Sequence, residues 1–261
     1  GGMATLRTLV FGDDGSPAAD HAWQWIIQQR WPGWRVAVVT VTPPPIGPPV
    51  GAALAAPHPW TPPEPRQAPA SAEFEAVEHL TAVADPRVVL SEFPGADLVV
   101  VGPTGSGVLK SLQLGSTTAW LLEELAAPVV VARGPQPAGP VLVCADGSAH
   151  AQRAVETLAG LPWITGTDVT VLAVDDGRTD APAVAADAAS VIEAAGATVT
   201  VCEGSGKPSR VILDQVEAQG AGLVVLGSRG LTRLRRVFVG STANAVTRAA
   251  GCSVMVVSAG A

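Results

Sequence analysis

The sequence predicts two tandem α/β domains, each a doubly wound, mostly parallel five-stranded sheet with helices on both faces. Three observations carry this. Apolar, β-branched runs alternate with amphipathic or alanine-rich stretches bounded by Gly, Pro and Ser, the pattern of right-handed βαβ crossovers. The strand-like runs are continuously apolar, as strands covered on both faces are. The chain also repeats itself. Gly102, Gly105 and Gly115 recur as Gly227, Gly230 and Gly240, each offset by 125 residues (227 against 102, 230 against 105, 240 against 115), and both copies end in Gly-Ser-Thr. Upstream, TLVFGDDGSPAA matches VLVCADGSAHAQ, pairing Asp14 with Asp146. Downstream, APVVVARG from Ala127 matches CSVMVVSAG from Cys252. Repeats of about 130 residues are whole domains rather than solenoid units. Domain one is placed at 3–134 and domain two at 139–261, with RGPQPAGP (133–140) as the linker.

Domain two gives the element order most plainly. PVLVCAD is a buried strand ending in an Asp-Gly-Ser turn, and Ser148 is placed to cap the helix AHAQRAVETLAG. DVTVLAVDD is a second strand. DAPAVAADAASVIEAAG is helical, with Gly196 as its stop. ATVTVCEG is the third strand, and KPSRVILDQVEAQG a helix with Pro208 in its first turn. AGLVVLGSRG is strand four, STANAVTRAAG a helix and CSVMVV the last strand.

Domain one follows this order with one disruption. After the strand WRVAVVTV come eleven prolines between Pro43 and Pro69, which exclude regular helix or interior strand. The insert, 43–70, reads either as a solvated loop over lost structure or as a lid at the carboxyl end of strand two. The helix that follows is expected over SAEFEAVEHL (71–80), and a further short helix over DPRVVLSEF, stopped at Pro94. Trp23, Trp25, Trp31 and Trp34 gather around the first helix and are expected in the core or at the domain interface.

Composition limits the function. Of 261 residues, 48% are hydrophobic and 15% charged, enough apolar matter for two cores. The net charge of −7 argues against nucleic acid or an anionic membrane as partner, while a local basic patch can still take phosphate. No apolar run nears the ~20 residues of a membrane span, and GGMATLRTLV lacks a leader pattern, so a cytoplasmic protein is expected. Cys144, Cys202 and Cys252 share no close spacing and read as buried thiols. The four histidines share no metal-ligand spacing, so no metal site is assigned.

The repeated glycines sit where a strand becomes a helix. Gly227 and Gly230 permit positive φ and close backbone approach. Gly240-Ser241-Thr242 opens a helix whose free N–H groups attract phosphate. Arg229, Arg233, Arg235 and Arg236 lie inside the second copy, where the first has only Lys110 and carries Pro103 and Thr104 in place of Ser228 and Arg229. Turn formation with close packing is the competing account of these glycines. Other nucleotide and hydrolase motifs fail. GSGKPS has Val201 and Pro208 where a P-loop needs Gly and Ser or Thr, and no dinucleotide fingerprint or Gly-x-Ser-x-Gly elbow occurs.

These residues resemble a known family. Gly102, Gly105, Gly115, Ser116 and their repeat Gly227, Gly230, Gly240, Ser241 are similar to the G-x2-G-x9-G-[S/T] signature of the ATP-binding universal stress proteins. The turns Asp14-Gly15-Ser16 and Asp146-Gly147-Ser148 are typical of them too. The resemblance covers about 5–134 and 139–258 and is weakest over 43–90. It implies an adenine nucleotide alpha hydrolase-like, Rossmann-like three-layer fold that binds ATP, commonly with Mg. Asp14 or Asp146 is then expected near adenine and ribose, with Gly12, Asp13 and Ala145 beside it; turn formation explains these aspartates equally. Val41 or Val174, ending strand two, is expected to meet adenine through its backbone. The glycine loops with Thr104 or Arg229, and the sets Gly115, Ser116, Thr117 and Gly240, Ser241, Thr242, are expected to hold ribose and phosphates.

Family members pair their last strands antiparallel across a dimer axis. Here PVVVA and SVMVVS can pair within one chain as a pseudo-dimer, which leaves open a homodimer of tandem chains. The implied role is a nucleotide-dependent stress-response sensor or regulator, with domain two the better site because it keeps the arginines. Slow Mg-dependent ATP hydrolysis, cyclic AMP as ligand, and an interaction module with vestigial sites are the other readings. No general base stands out in the sequence, so fast turnover is not expected.

Overall fold

A computed structural model describes residues 6–42, 62–104, 114–134, 139–177, 180–229 and 239–259. Domain one contains β1 (Arg7–Gly12), α1 (Pro17–Ile27), β2 (Trp34–Thr42), β3 (Ala76–Val83), α2 (Pro86–Ser91), β4 (Leu98–Val101), α3 (Ser116–Glu124) and β5 (Val129–Val131). Domain two contains β6 (Val141–Ala145), α4 (Ala149–Ala159), β7 (Asp168–Asp175), α5 (Ala181–Ala194), β8 (Thr198–Ser205), α6 (Pro208–Gln219), β9 (Leu223–Gly227), α7 (Ser241–Ala249) and β10 (Ser253–Val257). The strands form one ten-stranded sheet in the order β3-β2-β1-β4-β5-β10-β9-β6-β7-β8. Each half is the expected parallel, doubly wound unit.

The halves join edge to edge. β5 and β10 pair antiparallel, with Val131 opposite Val254, Met255 opposite Val130 and Val256 opposite Val129. This is the intrachain pseudo-dimer read from the two apolar last strands. Core residues of both halves merge on each face of the sheet. Leu9, Phe11, Val143 and Met255 share the α1/α4/α5 side, and Val10, Leu121, Leu142 and Val254 share the other.

Three side chains of domain one reinforce the join. Trp31, fully buried, stacks on Phe74 at 5.8 Å, meets Trp34 edge-on at 5.4 Å and reaches Trp163 of domain two at 6.4 Å. Arg7 lies over the Trp34 ring at 5.5 Å and donates to the Gly160 carbonyl at 3.1 Å. On the far side of the seam, Arg133 donates to the carbonyls of Cys252 and Thr247. Thr247 lies in the last turn of α7, so the guanidinium meets the negative end of that helix.

The helix expected over 71–80 is not there. Residues Ala76–Val83 are β3, paired with β2 in parallel register from Arg35–Ala76 to Thr42–Val83. The open edge of β2 offers a row of backbone partners, and that pairing overrides the local helical preference of Glu- and Ala-rich sequence. Among the described residues between β2 and β3 the regular structure is one 3₁₀ turn, Ala70–Ala72. The stretch before it covers the face that α5 covers in domain two. Gly15 faces Pro63, as Gly147 faces Val184 of α5. Arg66 makes two hydrogen bonds to Asp13, at 2.7 and 2.9 Å, and one to Asp20 at 2.7 Å, with its guanidinium 6.0 Å from the Phe11 ring centre. Bonding to Asp13 raises the Arg66 pKa further. The described end of the Pro-rich insert thus replaces a helix; the lid reading falls mainly on 43–61, outside the described residues.

The Asp13 side chain is only 1% exposed, and Arg66 and the Gly15 N–H take the place of water around its carboxylate. Arg66→Met should lower stability to urea by about 3 kcal/mol, because it strands a buried carboxylate. Adding Asp13→Ala should recover most of that loss; a double variant no better than the single would disprove the pairing argument.

Candidate functional site

The carboxyl ends of β7, β6 and β9 lie side by side in domain two, and the chain leaves β6 toward β7 while β9 returns on the other side. Such a reversal opens a crevice at the strand ends. A cavity of about 270 Å³ occupies it. Its floor is Cys144 and Ala145 of β6, Leu172 and Val174 of β7 and Leu226 of β9. α6 contributes Pro208 and Ile212, and Asp146 and Asp176 stand at the strand ends. The remaining wall is Gly227, Ser228, Arg229 and the start of α7, Gly240, Ser241, Thr242 and Ala243. Ala145, Asp146, Val174, Gly227, Arg229, Gly240, Ser241 and Thr242, expected from sequence, are therefore brought together; Gly230 and Gly105 lie outside the described residues.

Each glycine acts by a definite constraint. Gly227 does not use positive φ, although the sequence reading allowed for it. It is required by closeness: a Cβ there would lie 2.6 Å from Ala151 N and His150 C of α4. Gly102 faces Ala18 in the same way at 3.0 Å. The loop between the glycines is closed at its base by a backbone bond, Gly240 N–H to Ser228 O at 2.7 Å and Gly115 N–H to Pro103 O at 2.8 Å. Gly240 and Gly115 then occupy the N-cap positions of α7 and α3. Neither helix has a side-chain cap, whereas α1 and α4 are capped by Ser16 and Ser148. The first N–H groups of α7 are left for another acceptor, beside Arg229.

The aspartates do make turns: Asp14 accepts from Ser16 N–H at 3.0 Å and Asp146 from Ser148 N–H at 2.9 Å. In domain one Gly12, Val41, Gly102, Thr104, Gly115, Ser116 and Thr117 stand at the corresponding strand ends and helix start. Asp13 does not join them. Its carboxylate turns to the α1 face, where it accepts from Arg66 and from Gly15 N–H. Gly12 lies under Leu90, where a Cβ would come within 3.0 Å of a Leu90 methyl.

Sequence reasoning missed several cavity residues. Pro208 and Ile212 were read only as helix, and Asp176 only as the end of a strand. Ser228 was visible inside the glycine motif, but nothing local pointed to its partner. Its Oγ lies 3.0 Å from Nδ1 of His150, 78 residues away. Burial lowers the His150 pKa below its ordinary value, Arg229 lowers it further, and Asp146 opposes both. Burial pushes the Cys144 thiol up to about 12, with Asp146 adding to it, so this sulfur is not a nucleophile at neutral pH. Among the described residues no group of three or more His, Cys, Asp or Glu is placed to hold a metal, and no helix is long and apolar enough to cross a membrane.

Two outcomes follow. Gly227→Ala should cost about 1–3 kcal/mol in urea unfolding, since backbone must move to admit the methyl. Gly251→Ala, where the space is open, should change stability little. His150 should also shape the pH dependence of stability. The folded chain disfavours its protonation, so its contribution is intact above the ordinary pKa of 6.5 and is lost as pH falls through the lower folded value. Replacing His150 with Gln should flatten that acid-side slope; an unchanged slope would refute the assignment.

The Universal stress protein family profile matches the chain twice, over 5–133 and 138–258. A universal stress protein of Mycolicibacterium smegmatis is 30% identical over 192 residues, a match spanning 66% of this chain and 65% of that protein. The universal stress protein YxiE of Bacillus subtilis is 34% identical over 53 residues, 20% of this chain and 36% of that protein. In three dimensions, the crystal structure of a universal stress protein from Archaeoglobus fulgidus superposes with a TM-score of 0.70 at 21% identity, covering 98% of this chain and all of that one. With two copies of the family's fold joined in one sheet and the glycine motif at a strand-end cavity, the chain belongs to the universal stress protein family.

Proposed function

We propose that the protein is a nucleotide-dependent stress-response regulator that binds ATP in domain two. The observation that carries this is the polarity of the cavity. Its apolar strand-end floor suits a flat base beside Val174 and Ala145. Its opposite wall joins an uncapped helix N-terminus to Arg229, a pair suited to phosphate. Asp146 lies at the middle strand, within reach of a ribose.

The cavity spans three strand ends, roughly 10 Å at the usual strand spacing, which matches a nucleoside. ATP would supply the anionic charge that the α7 amides and Arg229 receive. Magnesium would arrive on the triphosphate, whose oxygens hold it. In domain one Thr104 replaces Arg229, so its affinity for a triphosphate should be lower.

Isothermal titration with ATP should give one high-affinity site per chain. Arg229→Gln should weaken it by a factor of about 10 to 100, the worth of one charge-assisted hydrogen bond. Gly240→Val, which crowds the start of α7, should weaken it at least as much. Equal affinity in all three proteins would contradict the reading.

A further inference from the structure

A second cavity, of about 220 Å³, lies in domain two between α4 and α5. Its walls are Ala145, Ala151, Val155 and Ala188, all buried. The two charged residues that line it are both carboxylates, Glu156 of α4 and Asp187 of α5, and both are exposed. Glu156 meets Arg153 at 3.7 Å and accepts from the Gln152 amide at 3.5 Å, two long surface contacts that leave its oxygens open to another donor. The cavity is therefore apolar inside and negative at its rim.

Domain one shows what such a place accepts. With Asp14 aligned on Asp146 (146 − 14 = 132), Asp13 stands for Ala145, Asp20 for Gln152 and Trp23 for Val155. There the place is filled. The Trp23 ring, 4% exposed, takes more room than a valine and packs on Phe11 at 5.5 Å. The guanidinium of Arg66 bonds to Asp13 and to Asp20, so a cation on an aliphatic stem lies against α1 between two carboxylates. Pro63 of the same segment covers Gly15, as Val184 covers Gly147.

In domain two the smaller Val155 leaves the space open, and the carboxylates stand elsewhere. Ala145 replaces the buried acid at the bottom of the cleft, while Glu156 and Asp187 bring their charges to the mouth. An occupant is thus selected twice. It buries a carbon stem against the alanines and holds a positive head between the two acids. An anion of the same shape meets repulsion at the rim, and a bare cation gains nothing from the apolar floor.

We propose that the cleft between α4 and α5 binds a small organic cation, a guanidinium or ammonium head on a short aliphatic stem. Ala145 and Ala151 also line the strand-end cavity, so the two sites back onto each other with opposite preferences in charge. The inference stands on the cleft and on Arg66, and it does not depend on the nucleotide reading.

Titration of the full chain with n-pentylguanidinium, followed by two-dimensional amide NMR, tests it. The expected result is saturable shifts at Gln152, Val184 and Ala188, with none from hexanoate at the same concentration. Glu156→Gln combined with Asp187→Asn should weaken binding by about 3- to 10-fold, the worth of two exposed ion pairs. Val184→Trp, which fills the cleft from a half-buried position, should abolish it. Should that variant fail to fold, the carboxylate pair, on exposed positions, carries the test. No saturable shift at tens of millimolar, equal binding of hexanoate, or undiminished affinity in the carboxylate variant would overturn the proposal. Shifts confined to Gly240, Ser241 and Thr242 would overturn it as well, by placing the cation in the other cavity.

Discussion

Three residues of one half lie antiparallel on three of the other: Val131, Val130 and Val129 against Val254, Met255 and Val256. The rest of the molecule depends on this short ladder. Alone, each half would end in a bare, apolar strand, an edge prone to pairing with anything extended. Paired, the two edges remove each other, and the apolar layers on both faces continue across the seam. The ladder also sets the place of Arg133, just past β5, so that it grips the carboxyl end of α7. The other end of α7 is the uncapped wall of the cavity. Domain one thus helps to hold the helix on which the domain-two site is built.

The two halves have kept the frame and diverged in what fills it. Both retain the close approach at Gly102 and Gly227, the base bond of the glycine loop and the uncapped helix. Among the described residues, domain one covers the face that α5 covers in domain two with Pro63, Arg66 and Phe74. It lacks Arg229, Ser228 and His150 as well. The halves differ in the charged and polar side chains beside the glycine loop, and they share the close approach of Gly102 and Gly227 to the neighbouring helix.

Much of this was legible in the sequence. Domain two's strands are continuous β-branched runs with Gly, Pro or Ser at their ends, so period and punctuation agreed. Ser148 caps its helix as its place after the Asp-Gly turn suggested, and Ser16 does the same in domain one. The glycine repeat located the cavity because its cause is local steric contact. What escaped detection is non-local. The sequence over 76–83 has helical composition and became a strand because β2 had a free edge. Arg66 lies 53 residues from Asp13, and Ser228 lies 78 from His150. No spacing rule reaches across a fold to join such pairs, whose meeting is decided by which strand ends the topology brings together.

The central claim is that the domain-two strand ends, and not those of domain one, receive the nucleotide. A crystal structure of the protein with a non-hydrolysable ATP analogue tests it most directly. The account predicts phosphate density against the first amides of α7 and Arg229, and the base beside Val174. Analogue bound only at the Gly115–Thr117 end of domain one, or outside both strand-end crevices, would contradict it.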